Sequence, residues 1–238
     1  GEAMKTRDFL RRYAYIYLYV AAFFLGCAGL MRQAVETAGE MQAISIHPVI
    51  IIDPGHGGPD GGTTGYAGTP EDRINLEVSR RLEAMLALLG CETAMTRTTA
   101  QSLATEGETI RSKKQSDLRN RVSMVNGFPS AVLVSIHQNH FPDPKYSGPQ
   151  VFHTKNAAEL AKTMQSALTN VLAPGSKRQA KTASGIYLME HCTHPGVLVE
   201  CGFLSNPEEE RKLGTAEHQK KIAAILATVL AGFVRSGS

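Results

Sequence analysis

Apolar residues along this chain fall into two kinds of cluster. Short runs of strand length occupy Val49–Asp53, Cys91–Thr96, Ala131–Ile136, Gln150–His153, Gly185–Met189 and Gly196–Glu200. Longer stretches between them carry apolar positions at helical spacing. Over Glu71–Leu89 these are Ile74, Leu76, Val78, Leu82, Met85, Leu86 and Leu89, largely one stripe, and Asp117–Val125, Ala157–Leu172 and His218–Val234 read likewise as helices. Strands that alternate with helices predict an α/β fold: a single three-layer domain over residues 48–235, with a mostly parallel sheet of about six strands flanked by helices. Two connections stand out, the glycine-rich Pro54–Pro70 and the polar Thr98–Ser116, which is expected to be mobile.

The N-terminal segment follows a different pattern. From Tyr13 to Met31 no residue is charged, with Arg11 and Arg12 before the run and Arg32 after it. That is close to the roughly 20 residues that cross a bilayer as helix. Residues 1–32 therefore read as an N-terminal apolar helix, a membrane anchor or signal-like segment, and residues 33–47 as a polar linker. The positive-inside rule places residues 1–12 in the cytoplasm and the domain outside, either membrane-anchored or secreted. A cleaved signal shares the basic start, but the run exceeds the usual h-region of roughly 7–15 residues and no clear A-x-A site follows. A helix packed on the domain, or on a second copy of it, is the third reading.

The chain's 238 residues carry 25 Lys and Arg against 22 Asp and Glu, and 42% are hydrophobic, which excludes disorder and collagen-like repeats. Residues 1–35 hold five bases and two acids, so residues 36–238 are balanced at 20 against 20. Without a basic stripe on the folded domain, nucleic acid is set aside as a partner. Cys27, Cys91, Cys192 and Cys201 lack CxxC spacing and imply no disulfide framework.

Candidate chemistry gathers at strand ends. The run Ile50–Asp53 passes through Pro54 and Gly55 into His56, Gly57 and Gly58, where glycine permits turns that other residues resist. Neither a dinucleotide fingerprint nor a P-loop is present, because no lysine follows and no G-x-G-x-x-G opens a helix. The run Ala131–Ile136 ends in His137, and Gly196–Val199 ends in Glu200. Ligands bind at the carboxyl edge of open α/β sheets, so these three titratable groups are expected to converge. Two histidines and a carboxylate with a further free glutamate suit a catalytic zinc. Glu71, which opens the first long helix after Pro70, is the candidate third ligand; an ordinary first-turn acid favoured by the helix dipole is the competing reading. The His191-Cys192-x-His194 cluster reads as a polar turn before Pro195, and Cys201 as a packed thiol.

Several segments together resemble a known family. Asp53–Gly58, Glu71-x-x-x-Asn75-Leu76, Thr96–Thr98, Arg121–Asn126, Ser135–His137 and Val199–Glu208 are similar to the zinc-dependent N-acetylmuramoyl-L-alanine amidases of the type 3 family, in order, over about residues 48–235. The resemblance implies one Zn2+ per chain held by His56, Glu71 and His137, with Glu200 as catalytic carboxylate. It implies a peptidoglycan or muropeptide substrate cleaved between N-acetylmuramic acid and L-alanine. Arg73 departs from the family, whose members often carry Asp two places after the ligand Glu. Asn139, Arg97 and Arg121 are candidate substrate contacts, the two arginines with structural ion pairing as the competing role. The short return Gln138–Pro149 leaves no room for the inhibitory helical insertion of division-associated relatives. The chain in this respect resembles spore-cortex, germination-specific members, whose products feed muramic lactam formation in the forespore or spore cortex. A zinc peptidase or carboxypeptidase, and a non-enzymatic muropeptide-binding module, are the alternatives. A protein activator or self-association through the N-terminal helix stays open as a further partner, beside the membrane at residues 13–31.

Overall fold

The computed structural model describes residues 22–32 and 47–237. Helix α1 covers residues 22–32 and belongs to a unit separate from the domain that begins at His47. The anchor expected over Tyr13–Met31 is thus described only in its second half, and residues 33–46 of the expected linker lie outside the described residues. Among the described residues, no helix is long and apolar enough to cross a membrane.

The domain runs β1(Val49–Pro54), α2(Glu71–Leu88), β2(Thr93–Met95), α3(Ile110–Asn126), β3(Ala131–Asn139), β4(Gln150–His153), α4(Ala158–Leu172), β5(Lys181–Thr182), α5(Tyr187–His191), β6(Gly196–Phe203), α6(Pro207–Leu213) and α7(Ala216–Ser236). The six strands lie in the order β2-β1-β3-β6-β4-β5. All neighbours are parallel except β4 and β6, which pair antiparallel with Gln150 opposite Glu200. A parallel neighbour needs a crossover of a dozen or more residues back along the sheet. The segment 140–149 is too short for that, so β4 starts at the edge where β3 ends and runs the other way.

Alternation along the central strands builds the two faces. Ile50, Ile52, Val132, Val134, Val197 and Val199 pack beneath α2, α4 and α7, whose Leu82, Leu86, Met164 and Leu226 are fully buried. Ile51, Leu133 and Leu198 point the other way, onto Val125 of α3 and Leu188 and Met189 of α5. Burying a side chain of this size contributes about 1.5–3 kcal/mol, and both helix layers depend on it.

The structure corrects three expectations. Gly185–Met189 is not a strand: Gly185 takes φ +73° and the chain enters α5, whose short apolar run covers the sheet face instead of joining its edge. A brief apolar run cannot distinguish these two fates. Helix α3 starts at Ile110, earlier than Asp117, because Thr109 and Ser112 form a capping box. The preceding connection is tied to α3 by Leu103 N to Asp117 Oδ1 (2.6 Å) and Asn120 Nδ2 to Leu103 O (2.6 Å), so the expected mobile loop is shorter and bonded. The sequence reading also omitted α6, which Asn206 caps by accepting from the Glu208 and Glu209 amides, with Pro207 in its first turn.

Candidate active site

Strands β1, β3 and β6 are adjacent and parallel, so their carboxyl ends bring His56, His137 and Glu200 to one edge; His137 pairs directly with Glu200. The turn carrying His56 is strained and clamped. His56 has φ +61°, a left-handed backbone that costs a non-glycine residue of order 1 kcal/mol or more. Its carbonyl accepts from Arg121 Nη2 at 2.6 Å, and the Gly57 amide donates to Asp60 O at 2.8 Å.

Arg121 and Arg97 supply most of the clamp. Arg121, 2% exposed, also donates to Asp53 Oδ1 (2.6 Å), Pro54 O (2.8 Å) and Asp117 Oδ2 (2.7 Å). Asp53 further accepts from Thr96 Oγ1 (2.7 Å) and Ser135 Oγ (2.6 Å). Burial alone would raise the Asp53 carboxyl, but Arg121 and the two hydroxyls outweigh it and hold it below its ordinary range. Arg97 donates to Pro54 O, Gly55 O, Thr99 O and Asp72 O, all between 2.8 and 2.9 Å. Of the two roles expected for these arginines, substrate contact and structural ion pairing, Arg121 makes the ion pairs, with Asp53 and Asp117, and both side chains are buried with their donors on the turn and its neighbours.

Glu71, 3% exposed, opens α2 and turns its carboxylate back toward the strand ends. Its Oε1 lies 3.0 Å from His137 Nδ1 and 3.3 Å from His56 Nε2, while its Oε2 accepts from Thr63 N at 2.9 Å. The reading of Glu71 as an ordinary first-turn acid does not account for this burial or these neighbours. Asn75, one helical turn on, donates to Gly55 O (3.2 Å) and to Glu71 Oε1 (3.3 Å), and Gln138 N donates to the same oxygen (3.1 Å). The packing tolerates no extra atoms. A Cβ on Gly55 would stand 2.2 Å from His137 Cε1, and one on Gly62 2.5 Å from Glu71 Oε2.

One ligand atom from each of His56, Glu71 and His137 lies within 4.8 Å of the other two, the one such group of three among the described residues. These three groups are placed so that they could hold a metal ion, and two imidazoles with a carboxylate are the donor set of a catalytic zinc. The far nitrogen of His56 completes the fit: Nδ1 lies 3.0 Å from Asp60 Oδ2, so a carboxylate fixes the tautomer that leaves Nε2 free to ligate. Asp60 in turn pairs with Lys114 Nζ at 3.0 Å.

These contacts set the local protonation. In the metal-free cluster, burial opposes charge on His56, yet bonds to Asp60 and Glu71 push it up to about 9. Asp60 and Glu71 are correspondingly held below the carboxylate range, against their own burial. Glu200 behaves oppositely. Burial pushes it up to about 7, with His137 opposing and Glu71 adding to the rise, and its buried Oε2 has no hydrogen-bond partner. An unpartnered carboxyl poised near neutrality beside the cluster is equipped to move a proton.

Asn139 ends β3 at the same edge, where its carbonyl accepts from Leu204 N at 2.8 Å. Arg73 is exposed on α2 and lies outside the cluster. Cys192 donates to His194 O at 3.5 Å within the expected polar turn, and Cys201 is buried, its thiol pushed well up by desolvation. Sequence reasoning missed Asp60, Lys114 and Gln138. Only Asp60 had a local signal, as a carboxylate four places after His56 within a glycine-rich turn.

A family model described as N-acetylmuramoyl-L-alanine amidase matches residues 50–231. The chain is 41% identical over 194 residues to the germination-specific N-acetylmuramoyl-L-alanine amidase of Bacillus subtilis, covering 79% of this chain and 81% of that one. It is 26% identical to the N-acetylmuramoyl-L-alanine amidase AmiA of Escherichia coli, over 75% and 73% of the two chains. Among solved structures it resembles the CwlD amidase from Clostridioides difficile, determined in complex with the GerS lipoprotein, at TM-score 0.75 and 34% identity, over 80% of this chain and 100% of that one.

Proposed function

The chain belongs to the N-acetylmuramoyl-L-alanine amidase family, and from that premise we propose that it hydrolyses the amide between the lactyl group of N-acetylmuramic acid and L-alanine in peptidoglycan, in spore-cortex maturation. The observation that carries the reading is the His56–Glu71–His137 cluster with an unpartnered Glu200 carboxyl beside it.

His56, Glu71 and His137 are the residues that would hold zinc, one ion per chain. Bound there, zinc supplies a Lewis acid that polarises an amide carbonyl and acidifies water. Glu200 takes a proton from the attacking water at Oε2 and delivers it to the leaving nitrogen. A C–O bond forms as the C–N bond breaks, leaving a lactyl carboxylate and the free amine of L-alanine. Asp53, Arg97 and Arg121 keep the His56 turn in place against its own strain, and Asp60 orients the ring.

Further proposals are an extracytoplasmic location, an anchor over residues 13–31 and a protein partner. A substrate in the cell wall supports the location, and the lipoprotein bound to the Clostridioides difficile relative supports the partner. The test is mass spectrometry of peptidoglycan incubated with the zinc-loaded chain and with its Glu200→Gln variant. Stem peptides beginning at L-alanine are expected from the first only, with the variant slower by about 10²–10⁴-fold yet still binding one zinc. Release by both, or by neither when zinc is bound, counts against the assignment.

A further inference from the structure

We propose that Phe141 and Tyr146 form a stacking platform for the glycan strand of the substrate, a role that rests on the amidase reading and extends it. Strand β6 lies between β3 and β4, β3 ends at the carboxyl edge, and β4 begins there. Residues 140–149 must therefore cross over the carboxyl end of β6, the strand that carries Glu200. Asn139 pairs with Phe203, three residues past Glu200, so this connection starts about 10 Å beyond Glu200 in the strand direction, outside the carboxyl edge.

Two large rings stay open to solvent on it. Phe141 is 46% and Tyr146 39% exposed, and they meet edge to face with centroids 4.5 Å apart. Tyr146 lies 6.3 Å from the Phe203 ring, and the Arg178 guanidinium stands 5.0 Å from that ring. Four bonds hold the backbone beneath them: Phe141 N to Ser205 Oγ (3.0 Å), Gly148 N to Glu209 Oε1 (2.9 Å), Asn206 Nδ2 to Pro144 O (2.8 Å) and Arg178 Nε to Ser147 O (3.3 Å). With the connection anchored at both ends, its rings face outward already ordered, and a ligand that stacks on them loses little to ordering.

The chemistry of the face selects its occupant. The faces of a pyranose present C–H groups with partial positive charge, which the negative face of an aromatic ring attracts. Arg178, and Lys145 at 5.6 Å from the Tyr146 ring, place positive charge beside the rings, suited to the lactyl carboxylates of those muramic acid residues whose stem peptides have already been removed. Lys145 is also paired with Asp143 at 2.7 Å. The scissile amide hangs from the glycan, so a strand bound here feeds its side chain toward Glu200.

Peptide-free glycan strands contain no scissile amide, so binding is measured without turnover. Calorimetric titration of such strands into the full chain should weaken about tenfold in the Phe141→Ala/Tyr146→Ala variant. The Phe141→Tyr/Tyr146→Phe variant, which keeps both rings, should bind as the unsubstituted chain does. Circular dichroism melting of each variant checks the fold, and Phe141→Ala alone serves if the double variant melts early. Equal binding by the alanine variant, or loss in the ring-keeping variant, would overturn the proposal. No binding by the unsubstituted chain would also overturn it, and would leave the face to a protein partner. Failure of the amidase reading is seen separately, as no stem peptide released from intact peptidoglycan.

Discussion

Arg121 and Asp53 meet as a fully buried ion pair, Nη1 to Oδ1 at 2.6 Å, directly beneath the turn that presents His56. Each is under 3% exposed, and the same guanidinium reaches Asp117 and the carbonyls of Pro54 and His56. Arg121→Ala leaves two carboxylates buried without their cation, so it should destabilise the domain by about 3–5 kcal/mol in chemical denaturation. Arg121→Lys keeps a charge but lacks the planar fork that bridges these acceptors, and its loss should fall between the two. A change below about 1 kcal/mol for Arg121→Ala would mean the clamp does not hold the turn.

Asp60→Asn tests the support behind His56. The Asp60 carboxylate fixes which ring nitrogen faces Glu71, and losing such a support lowers metal affinity by about 10–100-fold. Competition against a chelator of known affinity measures this directly. Unchanged affinity would show that His56 is oriented by the turn alone.

Stability of the metal-free chain should depend on pH from both sides. His56 sits at about 9 when folded against 6.5 ordinarily, so its contribution is complete below 6.5 and is lost as pH rises through 9. Asp53, Asp60 and Glu71 are held below their ordinary 3.8 and 4.5, so theirs is present above those values and is lost as pH falls beneath them. Glu200, raised from 4.5 to about 7 by burial, loses stability as pH rises between those values, so with chelator present Tm should peak at about pH 5 and fall on both sides. Saturating zinc, which competes with the proton for His56, should lift the alkaline side. A flat alkaline side in the chelated protein would contradict the bonding of His56 to Asp60 and Glu71.

Gly55→Ala places a methyl group where the His137 ring lies, with a Cβ 2.2 Å from Cε1. The ring must move or the turn must shift, a cost of about 1–3 kcal/mol. Zinc stoichiometry should drop below one per chain while far-UV circular dichroism stays that of the α/β fold. Full zinc binding would show that the turn can yield without disturbing the cluster.

His56, His137 and Glu200 were legible because each follows a buried apolar run, and the carboxyl edge of a parallel sheet is where such endings meet. Glu71 was half legible: its place at the start of α2 was plain, but a helix dipole welcomes any acid there. Asp60 and Lys114 were harder to read, since both act through side-chain reach across a folded loop. Arg97 and Arg121 carried an ambiguous signal, because an arginine near a site serves equally as ligand or clamp until its burial is known.

The periodicity of β1, β3 and β6 and of helices α2, α4 and α7 was determined by the sequence alone, because period and apolar content are properties of neighbouring residues. So was the order in which the chemical groups leave the strands. The helical fate of Tyr187–His191 was decided only in three dimensions, where Leu188 and Met189 cover one sheet face. The antiparallel placement of β4 over the end of β6, and with it the outward rings of Phe141 and Tyr146, was decided in the same way. Those features depend on which surfaces meet across long sequence separations, and a local pattern holds no record of its distant partner.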